Sequence, residues 1–297
     1  MEREAWDEIA SRMSETLGAS FAIGNLRSMG GGAANTSHRI DGTVNGEQRS
    51  FFAKLGSLAE SERFRTEALS LKAMHDTNTI RVPEPICWGS LDGSTYLVMD
   101  FLQLGGAPAG GPEKLGEQLA AMHRHTSDRF GWELSNTIGA SPQQNGWSSN
   151  WIEFFQDKRL GFQLRLARRN GHSGRWMDDA ERVIDRLPTF FDGYDPEPSI
   201  LHGDLWSGNY GYDRQGNPVI FDPALYYGDR EADLAMTELF GGFPAQFYRS
   251  YDTAFPLDPG YSRRKILYNL YHLLNHLNIF GTGYMGQVQR SIQQLLS

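Results

Sequence analysis

Apolar residues recur at helical spacing at the start of the chain, at Trp6, Ile9, Met13 and Leu17, with charged residues between them and Gly18 beyond. That pattern predicts an amphipathic helix over residues 1–17. The period then changes. The run Gly30-Gly31-Gly32-Ala33-Ala34-Asn35-Thr36 leads into Ser37-His38-Arg39-Ile40 and the turn signals Asp41-Gly42 and Asn45-Gly46, which predicts loop, strand, turn and strand. Ser50-Phe51-Phe52-Ala53-Lys54-Leu55 reads as a strand closing at Gly56, and Phe64, Ala68, Leu71 and Met74 form one apolar stripe on a helix over residues 59–74. Residues 94–102 give another strand, running into a glycine- and proline-rich stretch at 105–112. Beyond it, helical periodicity covers residues 114–125, 151–170, 177–187 and the last forty, interrupted by one hairpin made of Tyr210-Gly211-Tyr212 and Pro218-Val219-Ile220-Phe221. The expected architecture is α+β and bilobal: a β-rich N-terminal lobe over 1–102, a hinge over 103–112 and a helical C-terminal lobe over 113–297 that holds the hairpin.

Composition narrows the partners. The 297 residues are 39% hydrophobic with 33 glycines, ordinary globular usage that excludes a disordered or fibrous chain. A formal charge of −8 repels phosphate backbones and anionic membranes, so neither nucleic acid nor a membrane is expected as a partner. The single cysteine, Cys87, sits among apolar residues and reads as a packing residue. The acidic N-terminus resembles no targeting peptide and no run of 18 apolar residues occurs, so a cytoplasmic protein is expected, as a monomer or weak homodimer.

The segment His202-Gly203-Asp204-Leu205-Trp206-Ser207-Gly208-Asn209 is followed, thirteen residues after Asn209, by Asp222 in Ile220-Phe221-Asp222-Pro223. Phosphoryl transfer needs a carboxylate at the attacking hydroxyl and oxygen ligands that hold magnesium on the phosphates. The spacing matches a protein-kinase catalytic loop, with Asp204 as base and Asn209 and Asp222 as metal ligands. Asp204 alone reads equally well as a turn former or cap; the joint spacing favours chemistry. Upstream, Gly30, Gly31 and Gly32 would let backbone N–H groups approach phosphates, and a lysine within a strand, Lys54, needs an anionic partner, for which Glu67 on the apolar helix face is favoured. Met99, Asp100, Phe101 and Leu102, at the strand end, would present backbone groups to adenine.

Taken together, these motifs resemble the fructosamine kinase (ketosamine-3-kinase) family, whose kinase-like fold is also that of aminoglycoside phosphotransferases and choline kinases. The match includes the glycine loop, Lys54, Glu67, residues 202–209, the tyrosine-rich stretch 222–242 and the C-terminal Tyr271 to Phe280. The resemblance implies ATP and Mg²⁺ as cofactors and a ketoamine substrate, a fructosamine or ribulosamine adduct of an amine such as a lysine side chain, phosphorylated on the sugar 3-hydroxyl and thereby deglycated. Asp229 and Glu231 would then face the cationic amine, and Trp206, Tyr226 and Tyr227 would stack on the sugar or cation, although buried tyrosines are more often core or groove wall. Asp233 resembles the aspartate that braces the catalytic loop. His272 and His276 have zinc-ligand spacing without a third ligand and read as pocket lining, His276 the likelier to touch substrate, while His123 and His125 read as packing. The alanines at 33 and 34 stand where some relatives carry a redox-sensitive cysteine. Two rivals remain, a small-molecule kinase with another acceptor and an ATP-binding scaffold without turnover. The motif Tyr226-Tyr227-Gly228-Asp229-Arg230-Glu231 speaks against the first, and retention of Lys54, Asp204, Asn209 and Asp222 against the second.

Overall fold

Period-two alternation along one central strand organises the first part of the molecule. The computed structural model describes residues 3–30 and 36–297, and the chain divides into two units, residues 1–107 with 211–221, and residues 108–210 with 222–297. In the first unit, strands β1 (Phe21–Gly30), β2 (Thr36–Val44), β3 (Glu47–Ser57), β4 (Pro85–Leu91) and β5 (Ser94–Asp100) form an antiparallel sheet in the order β1-β2-β3-β5-β4. Phe51, Ala53 and Leu55 of β3 are buried in one core with Trp6, Ile9 and Met13 of helix α1 (Arg3–Leu17) and with Tyr96 and Val98 of β5. Cys87 packs in the same core, where burial pushes its thiol up to about 12, so it is no nucleophile. Alternation sends Phe52 and Lys54 to the opposite face of the sheet. Helix α2 (Ser61–His75) buries Phe64, Ala68, Leu71 and Met74, the stripe that the sequence predicts.

The predicted hairpin belongs elsewhere than expected. Its strands, β10 (Tyr210–Asp213) and β11 (Pro218–Ile220), extend a three-stranded sheet whose other member is the two-residue strand β6 (Leu104–Gly105), so residues 211–221 group with the first unit and not with the helical one. Arg81 fixes it there, donating to the Asp213 carboxylate while its carbonyl accepts from Ile220 N at 3.0 Å. A two-residue partner strand inside a glycine-rich stretch leaves no periodicity to read.

The second unit is mainly helical: α3 (Gly111–His123), α4 (Trp151–Phe154), a π-helical segment Phe155–Gly161, α5 (Phe162–Arg169), α6 (Arg175–Asp185), α7 (Glu231–Leu239), α8 (Ala245–Ala254), α9 (Tyr261–Phe280) and α10 (Met285–Leu296). Two small antiparallel pairs accompany them, β7 (Asn136–Ile138) with β8 (Ser141–Gln143), and β9 (Ser199–Leu201) with β12 (Tyr226–Gly228). Three-residue strands are too short to show alternation, which is why the sequence predicts neither. Long α9 runs through the unit and buries Leu267, Leu270, Leu273, Leu274 and Leu277. Among the described residues, no helix is long and apolar enough to cross a membrane.

Met13 is fully buried in the core shared by α1 and the sheet. Met13→Ala is expected to destabilise the protein by about 2–4 kcal/mol in urea denaturation; an unchanged midpoint would contradict this packing.

Candidate active site

The loop from His202 to Asn209 leaves β9 and enters β10, and a buried carboxylate shapes its first turn. Asp233, in the first turn of α7, accepts from His202 N at 2.7 Å and from Gly203 N at 2.8 Å. Its Oδ2 lies 3.1 Å from His123 Nε2, and His123 Nδ1 lies 2.8 Å from the Tyr251 hydroxyl. Burial alone would push the Asp233 carboxyl up, but the His123 hydrogen bond and charge, His202 and the Gly203 amide outweigh it and hold the group below its ordinary value. His123, expected as simple packing, is thus part of the brace. Gly203 has φ +81°, and a Cβ there would stand 2.1 Å from the Ala224 carbonyl oxygen, so only glycine fits this turn.

Asp204 follows immediately. Its backbone N donates to His202 Nδ1 at 3.2 Å, and its carbonyl accepts from Asn209 Nδ2 at 2.8 Å, which leaves the Asn209 amide oxygen as the end able to ligate. The Asp204 carboxyl is pushed up to about 7, first by burial and then by the charges of Asp222 and Asp233, with Asn209 pulling the other way. Asp222 itself sits at φ +56°, a left-handed conformation uncommon outside glycine, just after β11. The chain is pinned two residues on, where Ala224 N donates to the His202 carbonyl at 2.8 Å. Residues that the sequence did not single out complete the clamp. Gln143 Nε2 donates to Ala224 O at 2.9 Å, Asn136 Nδ2 donates to Leu225 O at 2.8 Å, and the Tyr271 hydroxyl donates to Gln143 Oε1 at 2.8 Å.

Within the second unit, Asp204 opens onto a cavity of about 440 Å³. Trp206, Phe240, His276, Phe280 and Tyr284 supply rings to its lining, and Met236, Ile138 and Ile279 supply aliphatic surface. Trp206 and His276, two of the expected substrate contacts, both line this cavity. Phe240, Phe280 and Tyr284 were not foreseen; the one available signal is the four-residue spacing of His276, Phe280 and Tyr284, which runs from the last turn of α9 into the short turn beyond it.

The other expected substrate contacts are corrected. Asp229 is fully buried and accepts from the hydroxyls of Tyr268 at 2.5 Å and Tyr194 at 2.9 Å. Glu231 is equally buried, held by Arg264 Nε at 2.7 Å and Nη2 at 3.0 Å. Both carboxylates are committed inside the fold and neither lines the cavity. Tyr226 is core, with the Arg159 guanidinium 4.0 Å above its ring, and half-buried Tyr227 lies against Trp147. Neither tyrosine lines the cavity.

In the first unit, Lys54 Nζ lies 2.6 Å from Glu67 Oε1, the expected pair, with both side chains largely buried. Gly31 and Gly32 fall outside the described residues, and Gly30 is the last residue of β1. Met99 is buried within the ladder, Asp100 N donates to Glu84 O at 2.9 Å, and Phe101 N donates to Ser50 O at 3.3 Å. The amides of Asp100 and Phe101 are therefore spent, and Leu102 is the first residue past the ladder.

A carboxylate at a braced loop, an amide oxygen and a second carboxylate after a short hairpin, and a strand lysine paired to a helix glutamate define the protein-kinase-like class of phosphotransferase fold. The fructosamine kinase family model matches residues 5–297, and the chain belongs to that family. A "Probable ketoamine kinase" of Synechocystis sp. is 48% identical over 98% of this chain and 97% of its own length. A chloroplastic protein-ribulosamine 3-kinase of Arabidopsis thaliana is 43% identical over 95% of this chain and 85% of its own. The crystal structure of "Putative fructosamine-3-kinase" from Haemophilus somnus superposes with a TM-score of 0.86 at 30% identity, covering 98% of each chain.

Because the folded Asp204 carboxyl titrates near 7 against 3.8 in its ordinary state, the folded ligand-free protein keeps a proton that the unfolded chain releases between about pH 4 and 7. That group's contribution to stability falls as pH rises through this window. Asp204→Asn removes the effect and is expected to stabilise the ligand-free protein more at pH 8 than at pH 5. Thermal or urea unfolding at the two pH values checks it, and a gain that does not grow with pH would contradict the burial of this charge.

Proposed function

We propose that this protein transfers the γ-phosphoryl group of ATP to the sugar 3-hydroxyl of ketoamines, the fructosamine and ribulosamine adducts of amines such as the lysine side chain. The observation that carries this reading is the Asp204 carboxyl, at the lining of a ring-walled cavity and beside Asp222, on a loop fixed by Asp233. The names of the relatives, ketoamine kinase and ribulosamine 3-kinase, agree with it.

Asp204 takes the proton of the substrate hydroxyl as that oxygen bonds to the γ-phosphorus; the bond from phosphorus to the bridging oxygen breaks and ADP leaves with the electron pair. A carboxyl raised to about 7 is better matched to this proton than an ordinary aspartate. Lys54, oriented by Glu67, supplies a point charge for the nucleotide phosphates. Asn209 and Asp222 offer an amide oxygen and a carboxylate, a hard-oxygen donor set that suits magnesium. Mg²⁺, when bound, neutralises phosphate charge and holds the transferring group. Phosphate on carbon 3 then makes the adduct labile: proton loss from carbon 1 gives an enaminol that expels phosphate, and hydrolysis of the resulting imine frees the amine.

Asp204→Asn is expected to lower turnover of a ketoamine by at least about 100-fold while ATP affinity, read by calorimetry, stays within a few-fold of the parent. Equal turnover in the variant would remove Asp204 from the role of base.

A further inference from the structure

The burial of Asp229 and Glu231 leaves open what recognises the charged nitrogen of a ketoamine. A secondary ammonium on the substrate needs either a carboxylate or an electron-rich surface. Of the eleven described residues that line the cavity, Asp204 is the sole acid and none is Lys or Arg. The rest of the lining is dominated by rings.

Four of those rings, Phe240, His276, Phe280 and Tyr284, form one connected group. His276 lies 4.6 Å from Phe240, 5.0 Å from Tyr284 and 5.4 Å from Phe280, measured between ring centroids, and Phe280 lies 6.1 Å from Tyr284. Phe280 is 65% exposed and Trp206 39%, an unusual display of large apolar surface beside a reactive carboxyl. The imidazole at the centre of the group is neutral at physiological pH, since burial holds it below its ordinary value. Its tautomer is also set. Nδ1 donates to the His272 carbonyl at 2.8 Å, so Nε2 carries the lone pair and can accept an N–H. Asn275, His276, Ile279 and Phe280 further belong to the last turns of α9, where the exposed carbonyl ends of the helix favour a cation.

We infer that Trp206, Phe240, Phe280 and Tyr284, with His276 Nε2, form an ammonium subsite that reads the charged nitrogen of the ketoamine through ring faces and one imidazole acceptor, in place of an ion pair. The inference rests on the proposed ketoamine activity and assigns its specificity to residues of the cavity wall. Two kinds of substrate are thereby separated: a sugar joined to a basic amine is favoured, and the same sugar joined through a neutral atom is disfavoured.

The experiment compares two acceptors with the intact protein, ATP and Mg²⁺. One is Nα-protected fructosyl-lysine, and the other is a fructose 1-O-alkyl ether in which oxygen replaces the nitrogen. The expected result is a KM for the ammonium compound at least about tenfold below that of the ether, and a ratio falling to within about twofold of unity in the double variant Phe280→Leu, Tyr284→Leu. Both substitutions are at the cavity mouth or wall and keep an apolar side chain, and the KM ratio within one protein preparation is insensitive to partial loss of folded material. Equal KM values in the parent protein, or a ratio that survives the double substitution, would overturn the ammonium subsite while leaving the kinase reading intact. Phosphorylation of neither compound would overturn the kinase reading and the subsite with it.

Discussion

The loop that carries Asp204 depends on one buried carboxylate. Asp233 has two backbone amides and an imidazole around it, and the two amides belong to the residues that precede Asp204. Without that acceptor, two buried N–H groups would lose their partner at a cost of about 1–3 kcal/mol each. The brace reaches further through His123 to Tyr251, whose hydroxyl also receives Arg230 Nη1 at 3.2 Å. Helices α3, α7 and α8 are thereby joined at the point where the loop turns. Rigid support of this kind is what lets Asp204 sit in an unfavourable electrostatic position.

That position is built from like charges. Asp222 and Asp233 both push the Asp204 carboxyl upward, and burial pushes it further. Asp222 additionally holds a left-handed backbone that costs free energy in the free protein. The segment is retained because the amide and hydroxyl network of Asn136, Gln143 and Tyr271 fixes residues 224–225. Elsewhere, the fold confines its buried acids to stable pairings, Glu231 with Arg264 and Asp229 with two tyrosine hydroxyls. At Asp204, by contrast, burial and two neighbouring carboxylates act in the same direction.

Much of this was legible in the sequence, and the boundary of legibility has physical causes. The stripe of α2, the alternation of β3 and the pairing of Lys54 with Glu67 follow from periodicity and from the cost of an unpaired lysine in a strand. Spacing alone singled out Asp204, Asn209 and Asp222, and the structure puts Asn209 Nδ2 on the Asp204 carbonyl and the Asp222 charge close enough to raise the Asp204 carboxyl. Asp229 and Glu231 were misassigned because sequence gives chemistry without partners: the residues that hydrogen-bond or pair with them, Tyr194, Tyr268 and Arg264, lie tens of positions away. The hairpin at 210–221 was misplaced for the same reason, since its partner strand is two residues long. The rings of the cavity wall gave a helical spacing that is indistinguishable from ordinary core until exposure is known.

The central claim is that Asp204 activates a sugar hydroxyl of a ketoamine. It is tested most directly by incubating the protein with ATP, Mg²⁺ and fructosyl-lysine and locating the new phosphate by phosphorus–carbon correlation NMR. The account predicts stoichiometric ADP and a phosphate ester on carbon 3; ATP consumption without a phosphorylated ketoamine, or no reaction, would contradict it.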